Sequence, residues 1–255
     1  MNGAEHCSPV KLLDRLRSWR DAGLAWVYPE ICQVCRAGRG TPAQGFVCEA
    51  CRERVRYIEP PFCRKCGRPF EGEITVSFEC DNCRGMEWEF TTARSAVAAK
   101  EVVLEAIHGF KYRRALYFEP FLAELLIRAA TPVLAERPPD LIVPVPLHAT
   151  KQREREFNQA ELLARRLGKA IAVPVDAKLL RRVRPTLTQT HLGRQERLAN
   201  VHNAFALRGS RRLGGERVLL IDDVFTTGAT TGACARVLIA GGATEVCVWT
   251  LARGV

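Results

Sequence analysis

Two groups of residues in this sequence have types and spacings suited to chemistry. The first is a set of eight cysteines in four CxxC pairs, Cys32/Cys35, Cys48/Cys51, Cys63/Cys66 and Cys80/Cys83, separated by 12, 11 and 13 residues. Two thiolates two residues apart on a tight turn can face one ion, and a second pair about a dozen residues later completes a tetrahedral sulfur site. Turn-forming neighbours support this: Gly38, Gly40, Thr41, Pro42 and Gly45 lie between the first two pairs, and Gly67, Arg68 and Pro69 follow the third. Large aliphatic residues are scarce here, so a metal would supply stability that a core cannot. Two structural zinc ions are expected, and four thiolates on each leave no open position for catalysis. Disulfides are disfavoured by the small ring a CxxC would close and by the lack of a secretory signal, and an iron–sulfur cluster suits a two-module array less well. Sequential pairing of the CxxC units needs the shortest loops; the spacing also permits interleaved pairing.

The second group is Val218-Leu-Leu-Ile-Asp222-Asp223-Val224-Phe225-Thr226-Thr227-Gly228-Ala229-Thr230-Thr231. An apolar strand delivers adjacent carboxylates to a sheet edge, and a loop of small hydroxyl residues then leads into a helix. Backbone N–H groups and threonine hydroxyls at a helix N-terminus can surround a phosphate. Two carboxylates beside a phosphate would repel it unless they face hydroxyls or a metal. That combination calls for a sugar phosphate, with diol and phosphate about 5 Å apart, the scale of a ribose ring. A turn with capping threonines would explain any three of these residues, but not the ordered run of strand, acid pair and hydroxyl loop.

These residues need a scaffold, and the pattern from Thr91 onward predicts one. Strands are expected at Arg94–Ala98, Asp140–Val145, Arg217–Asp222 and Glu245–Leu251. Helices are expected at Lys100–Phe110, Pro120–Ala130, Glu156–Lys169 and Thr231–Ala240. In the third of these, Phe157, Ala160, Leu163, Ala164 and Leu167 share a face. Apolar strands separated by helices imply a parallel sheet, which binds ligands at the carboxyl ends of its strands. Upstream, Leu12, Leu13, Leu16, Trp19, Leu24 and Val27 have helical spacing that Pro29 ends. The three organisational units are therefore an N-terminal helix (1–28), a double zinc ribbon (29–90) and an α/β domain (91–255). Cys234 and Cys247 read as core residues, and His148 as a surface histidine.

Composition narrows the setting. Of 255 residues, 47% are apolar and 26% charged, which excludes a disordered or collagen-like chain. No apolar run reaches the roughly 18–20 residues a membrane span needs, and the N-terminal residues do not resemble a secretory signal, so a cytoplasmic location without membrane insertion is expected. The net charge of +10 is unevenly placed: residues 1–90 carry 13 Lys+Arg against 13 Asp+Glu, and residues 151–217 carry 16 against 6. A basic field confined to one stretch points to an anionic partner there, unless it only keeps the surface solvated.

IDDVFTTGATT resembles the phosphoribosyl pyrophosphate (PRPP) signature of type I phosphoribosyltransferases. Four CxxC pairs placed before it resemble the ComF competence family, a double zinc ribbon fused to a type I phosphoribosyltransferase-like domain, over about residues 29–255. Lys111-Tyr112, Val143 to His148, Arg155 to Gln159, and Arg184 to Gln189 with Arg194, Arg197 and Asn200 resemble the same family. The resemblance implies that Asp222 and Asp223 hold the ribose hydroxyls. It places the 5′-phosphate on Thr226, Thr227, Gly228, Ala229 and Thr230, and the pyrophosphate near Lys151, Arg153 and Arg155. It makes Arg184, Gln189, Arg194 and Arg197 part of an arm that covers the site, and it brings in Mg²⁺ with PRPP. One departure stands out: the family reads Arg-Gly-Phe-Asn-Gln where this chain has Glu156 in place of the glycine.

The implied function is PRPP binding linked to DNA uptake and natural transformation, with phosphoribosyl transfer to a nitrogen acceptor as the implied chemistry. Two other classes stay open: a non-catalytic PRPP or nucleotide sensor, and a single-stranded DNA-binding protein that works with competence proteins. Each four-thiolate zinc site carries about −2, so DNA is expected on the basic 151–217 surface rather than on the ribbons, joined by aromatics such as Phe46 or Tyr57.

Overall fold

The computed structural model describes residues 30–70, 72, 77–184, 201 and 203–254. The expected N-terminal helix, and Gln189, Arg194 and Arg197 of the covering arm, lie outside the described residues.

The centre is a four-stranded sheet of β1 (Thr92–Ala98), β2 (Leu141–Pro144), β5 (Arg217–Phe225) and β6 (Glu245–Arg253), in the order β1-β6-β5-β2 with every pairing parallel. A short antiparallel pair, β3 (Leu180–Arg182) with β4 (Phe205–Leu207), lies apart from it. The expected parallel α/β architecture is what the structure shows.

Strand β5 explains the layering. Val218 to Ile221 are all buried, as a strand covered on both faces requires. Leu219 and Ile221 join the core under helices α2 (Glu101–Tyr112), α3 (Glu119–Glu136) and α5 (Gln159–Ile171). Val218 and Leu220 join the opposite core, under α6 (Ala229–Ala240). The side-chain period of two along a strand produces this division.

Two element boundaries differ from expectation for identifiable reasons. Helix α3 continues past Ala130 through Pro132 to Glu136, because Leu134 still has a core to enter and its burial offsets the hydrogen bond that Pro132 cannot donate. The helix expected at Glu156–Lys169 starts three residues later, as α5, and a separate helix that was not expected, α4 (Ala149–Arg155), precedes it. Glu156 takes a left-handed conformation at φ +68°, which ends α4, and the Asn158 side chain accepts from the Ala160 N–H at 3.1 Å to start α5. Ala160, Leu163, Ala164 and Leu167 are buried as expected, while Phe157 precedes the helix and packs on Phe110 at 5.3 Å.

The ribbons are a structural repeat. Cys32 N–H donates to Gly38 and Gln33 N–H to Phe46; in the second copy Cys63 N–H donates to Arg68 and Arg64 N–H to Phe78. Helix α1 (Glu49–Arg52) carries Cys51 in the first copy. The segment between the copies pairs with the outer edge of β1: Ile58 N–H donates to Ala96 at 3.0 Å and Ala98 N–H to Arg56 at 2.9 Å. An edge that would otherwise present free backbone groups is thereby covered. The copies lie on opposite faces of the sheet. Cys32, Cys48 and Cys51 belong to the core of α2, α3 and α5, whereas Cys63, Cys66 and Cys83 belong to the core under α6.

Both aromatic residues named for DNA are partly buried and make contacts within the protein. Tyr57 is half-buried beneath the Arg128 guanidinium at 4.9 Å, and Phe46 packs edge-on against Tyr117 at 5.7 Å.

Candidate functional site

The carboxyl ends of β2 and β5 open into a cleft of about 450 Å³. One wall is the strand end and loop that the sequence singled out. Strand β5 runs three residues beyond the expected Asp222, so both carboxylates still sit on a rigid element. Asp222, Asp223, Thr226, Gly228, Ala229 and Thr230 line the cleft. Thr227 lies just outside the lining, its hydroxyl 3.5 Å from the Ala229 N–H.

Gly228 is the first cap of α6 at φ +83°, a conformation that suits glycine, and a β-carbon there would lie 2.9 Å from the Phe225 ring. The turn thus aims the first N–H groups of a 12-residue helix at the cleft.

The opposite wall is cationic and comes from three elements. Lys151 and Arg155 on α4 line it as expected, held by Glu154 at 2.8 Å and by the Tyr112 ring at 5.3 Å. Arg153 does not; it points from the other side of α4 together with Gln152 and Glu156. Lys111, at the end of α2, reaches Asp223 at 2.7 Å, with both side chains largely buried. Arg182 on β3 also lines the cleft, beside the aromatic face of Phe205. No sequence pattern marks Arg182, and Lys111 is marked only by its place beside Tyr112 in the segment that resembles the family. Arg184 is described but does not line the cleft.

Glu156 turns outward to Arg114 at 3.0 Å and is well exposed. The glycine that the resemblance implies at this position would suit the left-handed turn that ends α4, and the Glu156 carboxylate stays clear of the cleft lining. His148 caps α4: its Nδ1 accepts from the Thr150 N–H at 3.3 Å.

The acid pair is electrostatically poised. Burial first and the neighbouring Asp223 charge second push the Asp222 carboxyl up to about 7, against the Asp223 N–H that donates to it at 2.8 Å and the charges of Lys111 and Arg182. Such an acid is half-ionised at neutral pH and accepts hydroxyl donors better as the pH rises. A loop of N–H groups and hydroxyls at a helix N-terminus, two carboxylates and a cationic wall in one cleft suit a ligand bearing hydroxyls between two anionic ends.

The cysteines resolve into two sites with sequential pairing, Cys32/Cys35/Cys48/Cys51 and Cys63/Cys66/Cys80/Cys83, the four sulfurs of each lying within 4.8 Å of one another. Sulfur–sulfur distances of 3.8 Å (Cys32–Cys51), 3.6 Å (Cys35–Cys48) and 3.6 Å (Cys66–Cys80) match the roughly 3.8 Å edge of a tetrahedron with Zn–S bonds of about 2.3 Å. The Gly38 and Ala37 N–H groups lower the Cys35 thiol to about 6, as a thiolate ligand needs. Both sites fit structural zinc. Cys234 is fully buried, while Cys247 is only partly so, 3.7 Å from the Thr92 hydroxyl. Among the described residues, no helix is long and apolar enough to cross a membrane.

Residues 23–84 match the family model of the double zinc ribbon domain. The chain is 31% identical over 226 residues to competence protein F of Haemophilus influenzae, covering 87% of this chain and 96% of that one. It is 32% identical over 232 residues to the DNA utilization protein YhgH of Salmonella typhimurium, covering 88% and 97%. It is 28% identical over 218 residues to competence protein ComFC of Bacillus subtilis, covering 81% and 84%. Similar solved structures include the adenine phosphoribosyl transferase of Trypanosoma brucei in complex with AMP, pyrophosphate and ribose-5-phosphate, at 15% identity and a TM-score of 0.36, covering 79% of this chain and 65% of that one. Another is the purine phosphoribosyltransferase of Pyrococcus horikoshii, at 16% identity and a TM-score of 0.34, covering 52% and 83%.

Proposed function

This chain belongs to the ComF family of competence and DNA utilization proteins, and from that premise we propose that its cleft binds PRPP with Mg²⁺ in the service of DNA uptake. The observation that carries the reading is the shared cleft: the Asp222/Asp223 pair and the start of α6 on one wall, Lys151 and Arg155 on the other. The loop Thr226–Thr230 takes the 5′-phosphate on backbone N–H groups and hydroxyls. The two carboxylates accept from the ribose 2′- and 3′-hydroxyls, and Lys151 and Arg155 face the pyrophosphate.

The carboxylate oxygens fit a hard cation, and Mg²⁺ carried in on the ligand supplies charge neutralisation to the departing pyrophosphate. In transfer, the bond from the anomeric carbon to pyrophosphate breaks and the leaving group keeps the electron pair. A nitrogen nucleophile then bonds to that carbon and loses its proton. The protein's part is positioning and stabilisation of developing charge, so no side-chain nucleophile is required.

Thermal unfolding with Mg²⁺ and rising PRPP tests the reading. The melting temperature of the zinc-loaded chain is expected to climb with PRPP, and Lys151→Ala/Arg155→Ala is expected to weaken the apparent affinity at least tenfold. No rise in the folded wild type would overturn the proposal.

Glu156→Gly separates the backbone account of that position from an electrostatic one. The left-handed conformation costs an L-residue roughly 1 kcal/mol, and glycine's greater freedom when unfolded offsets most of that gain. Stability within about 1 kcal/mol of wild type and an unchanged PRPP affinity are expected. A tenfold tighter affinity would show instead that the Glu156 charge reaches the site.

A further inference from the structure

Arg253, the last residue of β6, is only 3% exposed, and among the described residues no carboxylate pairs with it. A buried guanidinium needs a counter-charge. The anionic group it meets is a metal ligand: Nη2 lies 3.4 Å from the Cys66 sulfur, and Nη1 donates to the Cys66 carbonyl at 2.5 Å. A zinc ion on four thiolates leaves that cluster with about −2, so the loaded site supplies the charge Arg253 requires.

The other side of the guanidinium reaches the anion loop. It stacks 4.7 Å from the centre of the Phe225 ring, and Phe225 pairs with Arg253 across the sheet. The tip of that ring occupies the space beside Gly228, 2.9 Å from where a β-carbon would be. A second prop comes from the same ribbon. Trp88 stacks on Phe90 at 5.3 Å and lies 2.7 Å from the β-carbon position of Gly232, one turn into α6. Lys65, between Cys63 and Cys66, donates to the Trp88 carbonyl at 3.4 Å. The first turn of α6 thus rests on two aromatic rings, each tied to the second four-cysteine site. The first four-cysteine site lies in the core on the other face of the sheet and makes no such contact among the described residues.

We propose that Arg253 is a positioning residue through which the second four-cysteine site holds the Gly228 turn in its anion-binding form, so that losing that site's metal disarms the cleft. The proposal rests on the PRPP reading, and its mechanism is a packed link: the Arg253 guanidinium holds the Cys66 carbonyl and sulfur on one side and the Phe225 ring on the other, so the ring keeps its place beside Gly228 only while the second site is folded around its metal. Linkage makes the coupling reciprocal. Occupying the loop should therefore tighten the second site's hold on zinc and leave the first site's unchanged.

The experiment follows both ends. Zinc release from the wild type into excess chelator is timed with and without Mg²⁺-PRPP, and the freed cysteines are mapped by alkylation. PRPP is expected to slow release from Cys63, Cys66, Cys80 and Cys83 by tenfold or more and to leave Cys32, Cys35, Cys48 and Cys51 unchanged. Arg253→Met is expected to speed release from the second site and to weaken PRPP binding tenfold or more. Arg253→Lys, which restores the charge but not the fork, should recover part of both. Uniform slowing at both sites, no slowing, or wild-type PRPP affinity in Arg253→Met would overturn the coupling; if that variant does not fold, the wild-type release measurement decides alone. A wild type whose melting temperature ignores PRPP refutes the binding reading itself, whereas PRPP binding without the site-selective effect refutes only the coupling.

Discussion

Asp222→Asn is expected to raise the melting temperature of the ligand-free protein at pH 8 and to abolish the rise that Mg²⁺-PRPP gives the wild type. The two effects have opposite signs because they act on different states of one carboxyl. Its folded-state pKa is raised to about 7, first by burial and then by Asp223. Between the ordinary carboxylate range and about 7, the native state therefore holds a proton that the unfolded chain has lost. Stability from this group falls as pH rises through that window, and the penalty is complete above it. Asparagine copies the protonated form and removes the penalty. Ligand binding runs the other way, since the ribose hydroxyls need an ionised acceptor. Wild-type affinity should improve from pH 6 to pH 8 by up to about tenfold per unit below 7, and asparagine should erase that dependence.

The size of the lost ligand effect is set by mass action. At a hundredfold excess over Kd, PRPP stabilises the wild type by about 2.7 kcal/mol, or roughly 5–10 °C for a chain of this length. Differential scanning fluorimetry at pH 6 and pH 8, with and without ligand, reads every arm. A fall in the ligand-free melting temperature of Asp222→Asn at pH 8, or retention of the PRPP rise, would sink the assignment. Asp223→Asn is the internal control. Its carboxylate pairs with the largely buried Lys111 at 2.7 Å, so its loss strands a cation and should lower the ligand-free melting temperature.

The contrast between these acids shows where sequence reasoning stops. Both carboxylates and the Gly228 turn were legible because a strand with a continuous apolar run, an acid pair and a hydroxyl loop lie next to one another in the chain. Lys111 was marked only by family resemblance and its pairing was not legible, because a lysine in the last turn of a helix is ordinary and only the fold brings it to Asp223. Arg182 was hidden for the same reason. Helix α4 escaped because Ala149 to Arg155 carries no apolar stripe and buries no residue, and a glutamate at 156 carries no mark of a left-handed backbone. The CxxC spacing announced two metal sites and favoured the pairing observed, but it did not show that their cysteines enter two different cores. That arrangement explains the shortage of aliphatic residues in the ribbon segment. Each ribbon completes a core that the α/β elements largely build, with Cys32, Cys48 and Cys51 beside Val97 and Phe121, and Cys63, Cys66 and Cys83 beside Phe90 and Ala93.

Because of this sharing, stripping zinc from the whole chain is expected to unfold the α/β elements along with the ribbons. A structural zinc site in a small module contributes on the order of 10–16 kcal/mol of binding free energy at neutral pH, against a total domain stability of about 5–15 kcal/mol. A ribbon joined to the α/β part by a flexible linker would melt alone and leave the sheet intact. Here the segment between the ribbons hydrogen-bonds along the edge of β1, Arg52 Nη1 of the first ribbon donates to both carboxylate oxygens of Glu124 of α3 at 2.9 Å, and Arg253 of β6 grips Cys66. Losing the ribbons would bare the edge of β1, take from Arg253 its contacts with Cys66, and expose Val97 and Phe90, which are fully buried. Zinc release followed by a colorimetric indicator and tertiary structure followed by near-ultraviolet circular dichroism should therefore fall at the same chelator concentration, with two zinc ions lost per chain. A metal-free chain that keeps a cooperative thermal transition would show that the sheet and helices are stable without the ribbons. If one zinc leaves before the other, the order identifies which core fails first. The first site is expected to go first in the absence of ligand, because Arg253 grips both the carbonyl and the sulfur of Cys66 in the second site, and the core around Cys32, Cys48 and Cys51 contains no comparable buried charge tied to its sulfurs among the described residues.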